Sequence, residues 1–443
     1  MKTKNIINIS KIFELHGFHA AADRAIIVAS SEMANLAGLI PPALDKLYRA
    51  AGYQILAVGG SVRDALLGQP PKDIDLCSDA SPEESLTLCK SARLKTIETG
   101  LQHGTITVMI NGEGYEITTF RVDMESDGRH ADVAFVKDVN QDLGRRDFTI
   151  NAMAVNQQGH LIDPYGGQED LARGEIKAVG DPYKRFTEDY LRIIRAARFA
   201  SRYGFKIDEG TWKAMNDLSG DLCSQLNIDE RGGAISMERL TDEFSKAFKT
   251  QNLKQFIEIM SKLGIFKAIA PEFSDDILAK IKENIDKVPG ADKWYIMFMW
   301  MAPEQIENVA RRLKLPLTSL STTVKMAQMR PIYEQLLQSE ANPAQIRQFQ
   351  TECGVDFGKI AEIFGRIYGQ SNIITEEQER FSPVVQGRDL MTLYPGRKPG
   401  KWVGDVLRLL EDEQKRQFYE TGISPSREKL LEKLREYDNE QQI

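Results

Sequence analysis

The stretch that decides the fold is Ile55-Leu56-Ala57-Val58-Gly59-Gly60-Ser61-Val62-Arg63-Asp64, followed by Asp73-Ile74-Asp75. Its four leading apolar residues predict a strand, the Gly-Gly pair predicts a tight turn, and Val62 to Leu67 predict a helix. Backbone N–H groups at the start of a helix favour phosphate, because they lie at the positive end of the helix dipole. We therefore expect the phosphates of a nucleotide to contact Gly59, Gly60, Ser61 and Arg63.

Two aspartates separated by a single residue follow this turn. If the segment from Lys72 to Leu76 is extended, the carboxylates of Asp73 and Asp75 point to one face and can share a cation. Mg²⁺ takes carboxylate oxygens together with the phosphate oxygens of a substrate. The combination predicts a Mg²⁺ site for phosphoryl or nucleotidyl transfer, whereas either feature alone is typical of a solvated strand edge or a plain turn.

The composition is that of an ordinary globular protein. The chain has 443 residues, 42% hydrophobic and 27% charged, and this length predicts roughly two to four domains.

No apolar run is long enough to span a membrane, so no membrane partner is expected, and an ordinary N-terminal helix is favoured over a transit peptide. The four cysteines form no C-x-x-C pair, which predicts reduced thiols and a cytoplasmic location. No protein partner is predicted.

Positive charge is concentrated in one segment. The net charge of −7 argues against a protein coated in basic surface, but Lys184 to Lys206 holds seven basic and two acidic residues. Such a local patch is compatible with contact to triphosphate or to an RNA backbone.

The pattern along the chain predicts an α+β fold, with a mixed-sheet head followed by an all-helical remainder. Gly180-Asp181-Pro182 ends the mixed pattern, and strand signals vanish beyond it. Strands are expected at 54–58, 73–77, 105–110, 115–121, 133–136 and 152–156. Helices are expected at 42–51, 62–67 and 82–91 in the head, and beyond it at 189–203, 237–248, 253–263, 276–287, 304–313, 402–416 and 426–437.

Two further segments carry candidate site residues. Glu116, in a predicted strand, could add a third carboxylate beside Asp73 and Asp75, or could simply face solvent. Arg146, in the segment from Arg145 to Asn151, offers the fork of N–H donors that suits phosphate, and a surface salt bridge is the alternative.

Asp189 and Arg192 begin the basic segment and are three residues apart, which makes them neighbours if both are helical. An acceptor beside a donor matches cytosine and adenine, which each present an amine next to a ring nitrogen that accepts. Uracil and guanine present the reverse, so they would leave buried polar groups unpaired. The alternative is an Asp–Arg pair that only stabilises the helix.

The ordered set of motifs resembles the class II tRNA nucleotidyltransferases, the CCA-adding enzymes of the polymerase-beta superfamily. The resemblance runs from about residue 50 to 245, and a later stretch, Gln386-Gly387-Arg388-Asp389-Leu390, is similar to the tail of the family. It is carried by Gly59 to Asp64, Asp73-Ile74-Asp75, His103-Gly104-Thr105, Glu116 to Thr119, Asp127-Gly128-Arg129-His130, Arg145-Arg146-Asp147, Glu188 to Arg192, and Ser236 to Arg239.

The resemblance implies template-independent addition of C, C and A to the 3′ end of tRNA from CTP and ATP, with release of pyrophosphate and a two-metal mechanism. It implies an extension at 1–40, a nucleotidyltransferase head at 41–180, a neck carrying the base template at 181–250, a body at 251–345 and a tRNA-binding tail at 346–443. Asp73, Asp75 and Glu116 would be catalytic, and the two aspartates would hold Mg²⁺. Nucleotide contacts are implied for Gly60, Arg63, Arg146, Asn151, Asp189, Arg192, Arg195 and Arg198, while Glu238 and Arg239 would brace the template helix.

Several rivals remain at this point. A bacterial-type poly(A) polymerase shares the head, but residues 411–443 hold six basic and nine acidic residues and lack the basic extension typical of that class. A partial, CC-only or A-only, specialist is a second alternative, and the loop at 127–130 argues against the CC-only form.

A small-molecule nucleotidyltransferase would lack the segment from Glu188 to Arg192, and a catalytically dead RNA-binding module would not need Asp73 and Asp75. All five histidines lie at or before His160, so a C-terminal His-Asp phosphohydrolase site is not expected.

Overall fold

The computed structural model describes residues 36–98, 100–101, 104–123, 133–226, 235–315, 320–338, 342–369 and 381–441. The chain divides into two compact units, Met1–Pro271 and Glu272–Ile443. The predicted finer division into extension, head, neck, body and tail stays a prediction. The part of the chain that the structure describes contains no helix long and apolar enough to cross a membrane.

A mixed sheet forms the head of the first unit. Within the described residues it has seven strands: β1 (Ile55–Val58), β2 (Asp75–Ser78), β3 (Lys95–Ile97), β4 (Thr105–Ile110), β5 (Glu113–Thr119), β8 (Ala154–Val155) and β9 (Leu161–Ile162). Their order in the sheet is β3-β4-β5-β2-β1-β8-β9. The β2–β5 pair is parallel and the other pairs are antiparallel. A separate hairpin joins β6 (Arg121–Asp123) to β7 (Val133–Phe135).

Apolar side chains explain the position of the central strand. All four residues of β1 are buried, as expected for a strand covered on both faces. Leu56 and Val58 pack in one cluster with Phe120 and Leu143. The helices of the head are α1 (Pro42–Ala50), α2 (Gly60–Leu66), α3 (Pro82–Ser91), α4 (Val139–Gly144) and α5 (Gly167–Arg173).

Most of the predicted elements of the head are confirmed, with two corrections. The strand expected at 73–77 begins only at Asp75, so Asp73 lies in the bend before it. The expectation that strand signals vanish beyond Gly180 is also wrong in one place, because β10 (Glu175–Ile176) pairs with β11 (Lys206–Ile207). Strands of two residues carry too little periodicity to be predicted from sequence.

Helices build the rest of the first unit. Its longest described helix, α7 (Leu191–Tyr203), buries nine residues, among them Ile193, Ile194 and Ala197. The other helices are α6 (Pro182–Glu188), α8 (Glu209–Asp217), α9 (Ser219–Gln225), α10 (Met237–Phe248), α11 (Leu253–Lys262) and α12 (Ile265–Ile269).

The described residues of the second unit contain helices and short 3₁₀ turns. Tyr333, Phe349 and Phe364 are fully buried and pack ring against ring, and a second cluster surrounds Leu390, Leu410 and Leu430. The helices are α13 (Asp275–Asn284), α14 (Lys293–Phe298), α15 (Pro303–Arg312), α16 (Leu320–Gln338), α17 (Pro343–Cys353), α18 (Phe357–Tyr368), α19 (Gly387–Leu393), α20 (Lys401–Thr421) and α21 (Arg427–Gln441).

Candidate active site

The glycine turn after β1 makes room for an arginine. Gly59 has φ +71, a conformation that strongly favours glycine, and a Cβ at this position would lie 2.7 Å from Nη1 of Arg146. Arg146 is held by Asp142, whose Oδ2 accepts from its Nη2 at 3.1 Å. The two glycines thus open the helix α2 and also let the Arg146 guanidinium lie against the turn.

Acidic side chains meet where β2 and β5 begin to pair. Asp75, the first residue of β2, lies directly opposite Glu116 of β5 in the parallel register. Neighbours in register on adjacent strands present their side chains to the same face. The structure therefore brings Glu116 beside Asp75, as the sequence predicted, while Asp73 lies outside the strand.

The electrostatics of Asp75 suit a cation. Desolvation raises the pKa of its carboxyl, and the Glu116 and Asp73 carboxylates raise it further, while Arg146 and Arg63 oppose the change. Among the described residues no three His, Cys, Asp or Glu side chains are grouped closely enough to enclose a metal ion. Carboxylates such as Asp73 and Asp75, whose charges oppose each other, are the donors that Mg²⁺ takes together with substrate phosphates and water.

Arg63 is buried rather than presented at the turn. It is 4% exposed, and its Nε donates to Oδ1 of Asp64 at 2.9 Å. Its guanidinium lies over the rings of Phe199 and Tyr203, at 5.3 and 5.1 Å from their centroids, and these two residues belong to α7. The cation–π contacts of this side chain therefore fasten the glycine turn to α7.

A chain of hydrogen bonds continues from Arg63 through five more residues. Its Nη1 donates to Oδ1 of Asn151, and Nδ2 of Asn151 donates to Oδ1 of Asp147 at 2.9 Å. The other oxygen of Asp147 accepts from Nε and Nη2 of Arg195 at 2.9 and 2.7 Å. Arg195 also donates to Oε1 of Glu243 at 3.1 Å, and Oε2 of Glu243 accepts from Nε of Arg198.

The predicted base-reading pair has a different local structure from the one expected. Helix α7 begins at Leu191, and Asp189 is extended (φ −156, ψ 101) between α6 and α7. The expectation that Asp189 is the first residue of the helix is therefore wrong. Its Oδ1 accepts from the N–H of Leu191 at 3.1 Å, and its Oδ2 accepts from Nη2 of Arg239 at 2.6 Å.

Arg192 uses three of its five N–H donors in the described contacts. Nη1 donates to the carbonyl of Arg185 at 2.9 Å and to Oε2 of Glu188 at 2.8 Å, and Nη2 donates to the carbonyl of Arg145 at 3.2 Å. The guanidinium is thus fixed beside the backbone that leads into Arg146. Two of its N–H donors remain for a ligand.

Comparisons with known proteins identify the family of the chain. Residues 55–177 match the poly A polymerase head domain family, and residues 204–277 match the family described as the probable RNA and SrmB-binding site of polymerase A. A CCA-adding enzyme from Geobacillus sp. (strain WCH70) is 32% identical over 379 residues, which is 81% of this chain and 88% of that protein.

The chain belongs to the CCA-adding enzyme family.

Other family members support the same assignment. The CCA-adding enzyme of Ligilactobacillus salivarius is 34% identical over 388 residues, covering 84% of this chain and 90% of that protein. The CCA-adding enzyme of Leuconostoc mesenteroides is 45% identical over 220 residues, which is 49% of this chain and 51% of that protein.

Solved structures of CCA-adding enzymes share the fold. The Bacillus stearothermophilus enzyme in complex with CTP has a TM-score of 0.62 and 25% identity, covering 90% of this chain and 100% of that chain. The Thermotoga maritima enzyme complexed with tRNA has a TM-score of 0.59 and 21% identity, covering 90% and 97%.

Two family motifs lie wholly or partly outside the described residues, because His103 and the segment Asp127-Gly128-Arg129-His130 are not described. Residues 1–35 of the predicted extension also lie outside them. The roles predicted for individual site residues of this CCA-adding enzyme family member stay predictions, although the structure gives each described one a defined set of contacts.

Four residues that contact the site arginines were not predicted from the sequence. Asp64 accepts from Arg63 and from the hydroxyl of Tyr203 at 3.1 Å, and Phe199 and Glu243 supply further contacts to arginines. The signal available was their spacing within helices: Phe199 and Tyr203 are four residues apart, and so are Arg239 and Glu243, which places each pair on one helical face.

Proposed function

We propose that the chain adds C, C and A to the 3′ end of tRNA, using CTP and ATP and releasing pyrophosphate, without a nucleic-acid template. Membership of the CCA-adding enzyme family carries the reaction and its substrates. The observation in this structure that supports it best is the chain of hydrogen bonds that runs from Arg63 at the glycine turn through Asn151 and Asp147 to Arg195 of α7, the helix that also carries Arg192. Phosphate chemistry and base selection are thereby parts of one site.

Asp73 and Asp75 are the proposed ligands of Mg²⁺. When bound there with the phosphates of a nucleotide, the ion would lower the pKa of the attacking 3′-hydroxyl and neutralise charge on the departing pyrophosphate. Glu116 stands beside Asp75 as a further carboxylate of the site. Burial of Asp75, together with the like charges of Glu116 and Asp73, raises the pKa of its carboxyl group and disfavours ionisation, which a bound cation would favour.

Phosphates of the nucleotide are proposed to lie at the glycine turn. Gly59, Gly60 and Ser61 supply backbone there, and Arg146 lies against it with its guanidinium toward Asp75. Arg63 acts from behind the turn, because it is buried against α7. Asn151, Arg195 and Arg198 similarly act on the nucleotide site through the chain of hydrogen bonds that they share.

Asp189 and Arg192 are proposed to read the base. A carboxylate has about four lone-pair positions, and Asp189 uses one on each oxygen for Leu191 and Arg239. It can therefore still accept from the amine of cytosine or adenine, while Arg192 donates to the ring nitrogen next to that amine. Uracil and guanine would place a carbonyl against the carboxylate, which costs about 1–3 kcal/mol for each unpaired buried group.

The tail at 346–443 is proposed to bind the tRNA body, in keeping with the family. A cytoplasmic location is also proposed, and it is supported by four cysteines that are all unpaired in the structure.

The test uses purified protein, tRNA that lacks its CCA end, Mg²⁺, CTP and ATP. We expect each tRNA to gain three nucleotides, with no extension when EDTA replaces Mg²⁺. A long tract of A residues made without CTP would instead identify a poly(A) polymerase, and a product that stops after C-C or that gains only A would identify a partial specialist.

A further inference from the structure

Glu243 is a buried acid that connects two arginines. It lies on α10 and is 2% exposed. One of its oxygens accepts from Nη1 of Arg195 and the other from Nε of Arg198. Burial of a carboxylate is costly unless its oxygens are paired, so this side chain holds both guanidiniums of α7 in place at once.

Helix α10 contacts the base-reading segment twice. Arg239, four residues before Glu243 and therefore on the same helical face, donates to Asp189 at 2.6 Å. Glu243 contacts Arg195 and Arg198, which follow Arg192 on α7. The two contacts join α10 to Asp189 on one side of Arg192 and to Arg195 on the other, so together they fix how α10 and α7 lie against each other.

The connection also reaches the phosphate side of the site. Arg195 donates twice to Asp147, and Asp147 directly follows Arg146, which lies at the glycine turn. Asp147 and Glu243 balance the charges of Arg195 and Arg198. Without the carboxylate of Glu243, two neighbouring guanidiniums would share one counter-charge and would repel each other.

We propose that Glu243 is a positioning residue for nucleotide selection, which holds α7 so that Asp189 and Arg192 meet the base while Arg146 meets the phosphates. The proposal rests on the base-reading role of Asp189 and Arg192 given above. Glu243 does not touch the nucleotide; it acts through Arg195 and Arg198. A merely structural Glu243 would affect the free energy of unfolding and the fraction of active protein but leave the choice among nucleotides unchanged.

The test compares Glu243→Gln with Asp242→Asn, the adjacent acid on α10. Asp242 is exposed and pairs with Lys246 of its own helix, so its substitution controls for loss of a charge on this helix. Steady-state constants for CTP, ATP, UTP and GTP are measured on tRNA substrates, and equilibrium dialysis gives the binding of CTP and UTP without tRNA. Thermal unfolding establishes that each variant is folded.

We expect Glu243→Gln to raise KM for CTP and ATP about tenfold, to lower the preference for C and A over U and G about tenfold, and to change kcat less. Asp242→Asn should resemble the wild type. If Glu243→Gln does not fold, Glu243→Asp serves instead, because its shorter side chain keeps the charge but cannot reach both arginines.

Two results would overturn the assignment, and they are distinguishable. If the wild type extends tRNA and prefers CTP to UTP, but the folded Glu243 variant keeps that preference, Glu243 has only a structural role. If the wild type neither extends tRNA nor prefers CTP, the proposed function itself is wrong and the role of Glu243 fails with it.

Discussion

Arg63 of the glycine turn donates from Nη1 to Oδ1 of Asn151, 88 residues further along the chain. The same guanidinium lies over Phe199 and Tyr203 of α7. A residue expected to face phosphate therefore fastens the glycine turn to α7, the helix that follows Asp189. A shift of α7 would therefore move the turn, and this couples the proposed phosphate site to the proposed base-reading residues.

Asp75→Asn should abolish nucleotide transfer and make the metal-free protein more stable. The carboxylate is expected to contribute several kcal/mol of transition-state stabilisation through its metal, so activity should fall at least about 10³-fold. A raised pKa means that the ionised form opposes folding at neutral pH, and the neutral amide removes this effect. Activity assays and thermal unfolding in EDTA measure both effects; near-normal turnover would refute the metal role, and a lower Tm would refute the electrostatic argument.

Gly59→Ala should impair nucleotide binding beyond the effect of backbone strain. The added Cβ would lie 2.7 Å from Nη1 of Arg146 and displace it, so we expect KM for CTP and ATP to rise about tenfold. Gly68→Ala is a matched control, because Gly68 has φ +67 and nothing within 4 Å of its Cβ position. Gly68→Ala should lose about 1–2 kcal/mol of stability, and Gly59→Ala should lose more, because its backbone (φ +71, ψ −125) lies outside the left-handed helical region. Equal KM values in the two variants would show that Arg146 does not act at the turn.

Asp189→Ala should blur the choice among nucleotides. Loss of the acceptor removes the penalty on uracil and guanine, so the preference for C and A should fall about 5- to 150-fold. Comparison of kcat/KM for the four nucleotides on folded protein tests this. A uniform loss for all four, with the preference kept, would mean that Asp189 only supports the start of α7.

Asp147→Asn should remove a pH-dependent part of the stability. Burial alone would raise the pKa of Asp147, but Arg195 and Asn151 more than offset this and lower it from 3.8 to about 2. Because the folded pKa is the lower one, the stabilisation is full above pH 3.8 and is lost as the pH falls toward 2. In urea unfolding, the free energy of unfolding of the variant should be about 2 kcal/mol lower than that of the wild type at pH 7, and the difference should be smaller at pH 3. A cost that does not vary with pH would contradict the ionic role.

The elements of the head could be predicted largely because short apolar runs and turn residues are local signals. The predicted strand at 105–110 and helix at 82–91 coincide with β4 and α3, and α3 begins with a capping box formed by Ser81 and Glu84. Motif content suggested only that Glu116 could lie near the aspartates; the register that places it opposite Asp75 could not be predicted, since pairing between distant strands has no local signature.

Partners of the site arginines could not be predicted. The sequence shows that Arg63 and Arg195 belong to motifs, but whether an arginine faces a ligand or a buried carboxylate depends on tertiary packing. Asn151 binds Arg63 and Glu243 binds Arg195, and both partners are distant in sequence from the arginine that they contact. These contacts turn each arginine toward a protein partner. Asp189 likewise departs from the predicted helix, because its side chain caps α7 and contacts Arg239 instead of joining the helix.

We propose that this chain selects C twice and then A with no template other than its own side chains. The experiment supplies CTP, ATP, UTP or GTP singly to three tRNA substrates, which end before CCA, after the first C or after C-C. CTP alone should extend the first substrate by two residues and the second by one, ATP alone should extend only the third by one, and UTP and GTP should be used poorly. Repeated addition of A to all three substrates, or equal use of all four nucleotides, would contradict the account.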